Sequence, residues 1–266
     1  MKPDRKASTA RKFADDLAAS GRYHFTTGEA VTALGVSTIA VRAALRRLAA
    51  TGAIASPHRG FYVIVPPEYR RLGCLPPEQF IPQLMAFLRL DYYAGLLSAA
   101  QLHGAAHQRP QVFQVMLKRN RAPLSCGKVR VEFIARKAIA SVPAPLVNTP
   151  RGPLRLSSVE ATALDLVGYA ERAGGLDTVA TVLAELAGKL DPRKLAEAAR
   201  LAPVPWAQRL GHLLDLAGAG EKTGPIAEWV HGKAREYVAL APGTPGGKER
   251  SKRWRLLVNA SVEVEG

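Results

Sequence analysis

Cysteine is scarce in this chain, with only Cys74 and Cys126 among 266 residues. Two cysteines with no metal-type spacing give little support to a zinc ribbon or to the disulfide framework of a small secreted protein. We therefore expect two free thiols in a reducing cytoplasm.

Long apolar runs are also absent from the sequence. No uninterrupted hydrophobic stretch is long enough to cross a bilayer, and the N-terminal segment MKPDRKASTARKFADD lacks the apolar core of a signal peptide. Hydrophobic residues nevertheless make up 47% of the chain, which is enough for a real core. The length allows two domains of ordinary size. We expect a folded, cytoplasmic protein with no membrane partner.

Acidic residues are few beside the basic ones. The chain has 22 Asp and Glu against 37 Lys and Arg, a net charge of +15, and a pI near 10.2. This excess favours a polyanionic partner. Part of it lies in a basic N-terminal arm, which is either a flexible phosphate-binding segment or a solvated terminus; its basic residues are Lys2, Arg5, Lys6, Arg11 and Lys12.

Motifs for catalysis are missing as well. His103 and His107 have a spacing that suits metal binding on a helix, but Gly104 interrupts that helix and no acidic residue is near. The glycine-rich stretch 243–247 lacks the Lys-Ser/Thr ending of a phosphate loop. Paired carboxylates and nucleophile elbows do not stand out. We therefore expect no catalytic residue, no metal and no cofactor.

Residues 24–65 have the order of parts that is typical of a winged helix-turn-helix. Thr27 is predicted to cap a short helix that ends at Gly35. Ser37 is predicted to cap the next helix, and the apolar Val36 to fill the gap between the two.

The second of these helices has two distinct faces. One is apolar, with Val41, Ala44, Leu45 and Leu48 at helical spacing. The opposite face can lie in a DNA major groove, where arginine makes two hydrogen bonds to guanine and small apolar groups touch thymine methyls. That face carries Thr38, Arg42 and Arg46, with Arg47 nearer the flank and placed to reach a phosphate.

A hairpin with a basic tip follows the second helix. Residues 53–56 and 60–65 are predicted strands. The tip places His58 and Arg59 where a wing meets the DNA backbone or minor groove. A small helical core with a solvated charged face, or a winged helix used for protein contacts, would carry similar charges. The agreement of the successive signals favours duplex DNA.

The rest of the chain is predicted to form a larger domain, so that the fold class is α+β. A proline-rich segment at residues 66–77 suggests a boundary near residue 72. This gives a DNA-binding domain, 1–72, and a mixed α/β domain, 73–266. The latter combines a basic antiparallel sheet, with strands at 111–119 and 128–136, and a C-terminal helical bundle, with helices near 176–189, 192–201 and 205–217.

The predicted sheet is strongly basic between residues 118 and 137. Seven basic residues there face Glu132 alone, and they are Lys118, Arg119, Arg121, Lys128, Arg130, Arg136 and Lys137. They form either a solvated face or a surface for DNA flanks or RNA. We predict nucleic-acid contacts at the five residues from Lys118 to Arg130.

The order of these parts resembles the AbiEi family, the antitoxin and transcriptional regulator of bacterial abortive-infection (type IV toxin–antitoxin) operons. The resemblance covers most of the chain, although each motif alone is only moderately specific. Its motifs are FTTGEA, LGVSTIAVRAALRRLAATGAI, RGFYVIVPPEY, YYAGLLSAAQLHGAAHQRPQVFQVM, LRLSSVEATALDLV and RWRLLVN.

The resemblance implies a two-domain repressor of its own operon. The winged helix would bind double-stranded operator DNA with inverted repeats, and the second domain would counteract a nucleotidyltransferase-like toxin. The family motif carries over to Ser37, Thr38, Arg42, Arg46 and Arg59, and it supplies no catalytic residue. The alternatives are a plain winged-helix regulator, an RNA- or protein-binding module without antitoxin activity, and an enzyme acting on nucleic acid.

Overall fold

The computed structural model describes residues 9–105, 110–247 and 249–264, so Lys2, Arg5, Lys6 and His107 lie outside the described residues. The chain packs as two compact units, the first made of residues 1–92, 117–135 and 146–155 and the second of the remaining stretches. The domain boundary expected near residue 72 stays a prediction. Within the described ranges, no single helix is long and apolar enough to span a membrane.

The N-terminal stretch alternates helices with short strands. Its α-helices and strands are α1 (Ala10–Ala19), β1 (His24–Thr26), α2 (Thr27–Leu34), α3 (Thr38–Ala50), β2 (Ile54–His58), β3 (Phe61–Ile64) and α4 (Ile81–Leu88). The three strands form an antiparallel sheet in the order β1-β3-β2. The basic residues of α1 are balanced within the helix, because Arg11 pairs with Asp15 and Lys12 with Asp16 at 3.1 Å each.

One apolar core joins these helices to the sheet. Phe25, Val41 and Leu45 are fully buried in it. Phe13 of α1 meets the Phe25 ring edge-on at 5.2 Å. This core fixes α3 against the sheet by one side only.

The ends of α2 and α3 follow from specific capping residues. Thr26 is the N-cap of α2, where it forms a capping box with Glu29, so the prediction of Thr27 is wrong by one residue. Only Thr26 stands three residues before Glu29. Gly35, at φ 65°, ends α2, and Ser37 caps α3, both as predicted. Val36 does not fill the gap between the helices, because it is 48% exposed.

The middle of the chain contributes short strands and one helix. They are β4 (Tyr92–Ala94), α5 (Leu96–Leu102), β5 (Phe113–Leu117), β6 (Leu124–Cys126), β7 (Val129–Ala135), β8 (Leu146–Thr149) and β9 (Gly152–Arg155). The loop expected between the two basic strands contains β6, which pairs antiparallel with β7. Strands β8 and β9 form a separate antiparallel hairpin.

Arg151 anchors the β8–β9 hairpin within the first unit. Its guanidinium lies over the Tyr23 ring, 3.2 Å from the centroid. Its Nε donates to Gln79 Oε1 at 3.0 Å, while its carbonyl accepts from Gln83 Nε2 at 3.0 Å. Three contacts to distant parts of the chain therefore make this hairpin an integral part of the unit.

The second unit is dominated by helices. They are α6 (Val159–Gly168), α7 (Leu176–Ala187), α8 (Pro192–Arg200), α9 (Val204–Leu216) and α10 (Gly224–Lys233), followed by β10 (Val238–Ala239), β11 (Glu249–Ser251) and β12 (Leu256–Val258). Helix α9 packs against the other four. The three helices predicted between 176 and 217 are confirmed to within two residues. Gly211 on α9 leaves room for the buried Trp254 ring.

We predict that Gly127→Ala destabilises the chain by about 1–3 kcal/mol more than Gly21→Ala. Gly127 has φ +57°, and a methyl group there would press on Leu72 O and on Gly73 Cα at 2.8 Å. Gly21, at φ +81°, has nothing within 4 Å and controls for the backbone strain alone. Urea unfolding followed by circular dichroism measures both. Equal losses would contradict the close approach.

Candidate nucleic-acid interface

Helix α3 buries one stripe and exposes the other. Val41 and Leu45 are completely buried. Residues spaced by four lie on one side of a helix, so Thr38, Arg42 and Arg46 form a continuous exposed face. Ile39 beside them is 82% exposed, which places an apolar group next to the two guanidinium groups.

Three arginines from two elements line one groove in the first unit. Arg42 and Arg46 come from α3, and Arg59 comes from the turn between β2 and β3. This arginine groove has a volume of about 770 Å³. Within the described part of the chain, its lining includes no acidic residue; the other members are Thr26, Thr27, Gly28, Leu45, Ala49, Ser56, Gly60, Tyr62 and Phe87. The lining suits an anionic ligand.

The remaining residues predicted around the helix-turn-helix lie outside this groove. Arg47 is exposed and lines a separate groove with α1 and with Val36. Ser37 is occupied as the cap of α3, where its hydroxyl accepts from the Ala40 amide at 3.3 Å. His58 is half-buried, and its Nδ1 lies 3.0 Å from the carbonyl oxygen of Arg59. The structure therefore brings together three of the predicted residues.

Phe87 of α4 is a groove residue that the sequence did not indicate. Its ring lies 5.5 Å from the Phe61 ring and 5.9 Å from the His58 ring, and it is 38% exposed. Phe87 therefore packs against the β2–β3 hairpin and also lines the groove. No local pattern predicts this, because the contact joins elements more than twenty residues apart.

The basic residues of the second predicted site belong to the same packing unit as the arginine groove. Lys118, Arg119, Lys128 and Arg130 are exposed, and Arg121 is half-buried. Strand β6 lies against β2, and the Ser56 amide on β2 donates to Cys126 Sγ on β6. The β6–β7 hairpin thus lies beside the β2–β3 hairpin, although the two belong to separate sheets.

Arg136 is a correction to the predicted basic face. It is 6% exposed and lies in the second unit, where its Nε is 3.1 Å from Asp165 Oδ1. The guanidinium also covers the Trp206 ring at 4.6 Å from the centroid. Strand alternation predicts that Arg136 is on the basic surface, but β7 ends at Ala135. Arg136 is therefore buried in an ion pair instead.

Asp165 is the centre of a buried polar cluster. The Tyr93 hydroxyl donates to Asp165 Oδ2 at 2.6 Å. Burial raises the pKa of Asp165 to about 6, against the lowering effects of the Arg136 charge and of the hydrogen bond from Tyr93. Burial and the nearby carboxylate raise the pKa of Tyr93. At neutral pH Asp165 is a buried carboxylate whose negative charge is compensated by Arg136.

Metal-binding groups do not assemble in the described residues, where no three His, Cys, Asp or Glu side chains cluster. His103 is used within the second unit, with its Nε2 at 2.7 Å from the Ser157 carbonyl oxygen.

Two family models match the chain along most of its length. Residues 12–65 match a model described as a transcriptional regulator, AbiEi antitoxin, and residues 93–216 match the AbiEi antitoxin C-terminal domain. The chain belongs to the AbiEi antitoxin family. The family comprises regulators of toxin–antitoxin systems, which are generally not enzymes.

A solved structure supports the fold of this AbiEi protein. The Rv2827c protein from Mycobacterium tuberculosis is similar at a TM-score of 0.68 and 18% identity, over 93% of this chain and 90% of that one. The antibiotic-resistance factor ANT(2″)-Ia matches at a TM-score of 0.24 and 16% identity, over 58% of this chain and 94% of that one. A TM-score this low does not indicate a shared fold. No curated protein matches significantly.

We predict that Arg136→Met lowers the free energy of unfolding by about 3–5 kcal/mol at neutral pH, because it strands the buried Asp165 carboxylate. Without Arg136 the pKa of Asp165 rises further. A folded-state pKa above the unfolded one stabilises the protein as pH falls. The deficit of the variant should therefore shrink below neutral pH.

Tyr93→Phe is the control for this prediction, since it removes one hydrogen bond and leaves the ion pair, at a cost of about 1–3 kcal/mol. Urea unfolding at several pH values provides the comparison. A deficit for Arg136→Met that is small, or that grows with falling pH, would contradict the buried pair.

Proposed function

We propose that the first unit binds double-stranded DNA as a winged helix-turn-helix. The observation that carries the proposal is the arginine groove, because it gathers Arg42, Arg46 and Arg59 on one surface. Helices α2 and α3 turn by 109° at the break between them, within the range of helix-turn-helix motifs. The family membership supports a regulator that acts on DNA.

In this proposal α3 lies in the major groove. Arg42 and Arg46 reach guanine edges, while Thr38 and the exposed Ile39 contact neighbouring bases. Arg59 at the tip of the β2–β3 hairpin reaches a phosphate or the minor groove. Ser37, Arg47 and His58 flank this surface and contribute backbone contacts.

The basic residues of the β6–β7 region extend the proposed footprint. They share the packing unit of α3, and β6 lies beside β2. In the proposal they bind phosphates of the flanking DNA, which positions the protein without reading sequence. These residues are Lys118, Arg119, Arg121, Lys128 and Arg130.

The recognition helix is tested by Arg42→Ala and Arg46→Ala. Each should cost about 1–3 kcal/mol on DNA from upstream of the chain's own gene and should relax sequence preference. Fluorescence anisotropy at fixed salt measures the affinity. Arg200→Ala makes the same charge change on an exposed part of α8 and should leave it unchanged. Unchanged affinity in the double variant would reject α3 as the recognition helix.

Arg59→Ala and Lys128→Ala should instead weaken binding to every duplex sequence. Each lost phosphate contact should flatten the slope of log affinity against log salt by about 0.9. Structured RNA, titrated at the same salt concentration, tests the alternative module. Tighter binding of RNA than of duplex DNA would favour that alternative.

We further propose that the protein is an autorepressor and antitoxin without catalytic activity. The match of residues 93–216 to the AbiEi antitoxin C-terminal domain supports the antitoxin part. The proposed operator carries inverted repeats upstream of the operon, and the proposed adversary is a nucleotidyltransferase-like toxin encoded beside this gene. The antitoxin activity is assigned to residues 73–266.

Separation of the two roles gives a direct test. Co-expression with the neighbouring toxin gene from inducible promoters should restore growth, and the Arg42→Ala, Arg46→Ala double variant should restore it equally well. The double variant should lose repression of a reporter driven by the operon promoter. Loss of rescue in a folded double variant would show that antitoxicity depends on DNA binding, and failure of the wild type would reject the antitoxin.

A further inference from the structure

Two segments of the first unit run side by side in opposite directions. The amide of Lys128 donates to Leu72 O at 2.8 Å. One residue further along, a Cβ placed on Gly73 would lie 3.2 Å from Gly127 Cα. The next step in this register sets Cys74 opposite Cys126.

The two thiols also meet through their side chains. Cys74 donates to Cys126 Sγ, which in addition accepts from the Ser56 amide, and these bonds lower the pKa of Cys126. The donation to Cys126 and burial raise the pKa of Cys74. Cys74 is 0% exposed and Cys126 8%. Cys126 is the less buried of the two cysteines and receives both hydrogen bonds, so we assign the thiolate to it.

We propose that Cys74 and Cys126 are a reversible dithiol–disulfide site, oxidised by a small hydroperoxide. The pair is the full cysteine content of the chain. Residues 52 positions apart in sequence are placed opposite each other, and neither has a role in the proposed DNA contacts.

The chemistry proceeds in two steps. The Cys126 thiolate attacks the distal hydroperoxide oxygen, the O–O bond breaks, and the alkoxide leaves as an alcohol after taking a proton. Cys126 is then a sulfenic acid. Cys74 attacks Cys126 Sγ, an S–S bond forms, and hydroxide leaves as water with the Cys74 proton. Overall two thiols are oxidised, and one hydroperoxide is reduced to an alcohol and water.

The site is placed to affect the arginine groove. Ser56 lines that groove and its amide binds Cys126 Sγ. A disulfide sulfur is a poorer acceptor than a thiolate, so oxidation weakens the hold of β6 on the β2–β3 hairpin. This consequence rests on the proposed DNA binding, whereas the disulfide itself does not.

The test exposes the purified full chain to hydrogen peroxide, blocks remaining thiols under denaturing conditions, and maps peptides without reductant. The expected product links the Cys74 and Cys126 peptides, is lighter by two hydrogens, and returns to two thiols with dithiothreitol. Its rate should not depend on protein concentration. A link between two chains, over-oxidised Cys126 without a link, or intact thiols would overturn the proposal.

Single variants provide matched controls for this map. Cys74→Ser should leave a sulfenic acid on Cys126 that dimedone traps, and Cys126→Ser should leave the buried Cys74 unmodified. Oxidation of Cys74 at the wild-type rate in a folded Cys126→Ser chain would contradict the assigned order. If circular dichroism shows that either variant fails to fold, the wild-type rate decides whether the disulfide forms within one chain. A rate that is independent of protein concentration supports the proposal, and a rate that rises with concentration contradicts it.

Binding of duplex DNA from upstream of the gene completes the test, with reduced and oxidised protein compared at one salt concentration. The oxidised form should bind about two- to tenfold more weakly, as expected from one weakened hydrogen bond, and dithiothreitol should restore binding. Equal binding by both forms overturns the link to the groove. Absence of binding by the reduced form instead refutes the DNA-binding proposal, and the peptide map still judges the disulfide.

Discussion

Burial of one stripe of α3 determines the direction of every other group on that helix. Val41 and Leu45 are fixed in the core with Phe25, and the 3.6-residue period then sends Arg42 and Arg46 outward. The arginine groove exists because the same core also positions the β2–β3 hairpin. Charge on this surface is therefore a consequence of apolar packing beneath it.

Much of the N-terminal region could be predicted because its signals are local. The apolar spacing of α3, the positive φ of Gly35 and the cap at Ser37 each depend on a few neighbouring residues. The cap of α2 was misplaced because two threonines adjoin and only the hydrogen-bond geometry distinguishes them. The prediction that Val36 fills the gap between the helices is wrong because apolar character alone does not determine burial at a turn.

The features that could not be predicted join residues far apart in the chain. Alternation along a strand put Arg136 on a basic surface, and the structure buries it against Asp165 instead. Phe87 lines the groove because its ring packs against Phe61, which lies on another element. The contact of Cys74 with Cys126 depends on the segment around Leu72 lying beside the end of β6, which no spacing rule describes. Local sequence patterns determine where helices and strands form, whereas tertiary packing determines which of them become neighbours.

The anchoring of the β8–β9 hairpin through Arg151 has a consequence for synthesis of the chain. The first unit takes in residues 117–135 and 146–155, so it cannot be complete until the ribosome has passed residue 155. At about 5–20 residues per second, the helices and strands before residue 65 wait roughly 5–20 s for their last partners. During that interval β2 lacks its neighbour β6 until residue 126 has been made, and the ring of Tyr23 lacks its partner until Arg151 has been made. These uncovered surfaces make the nascent chain a client for chaperones.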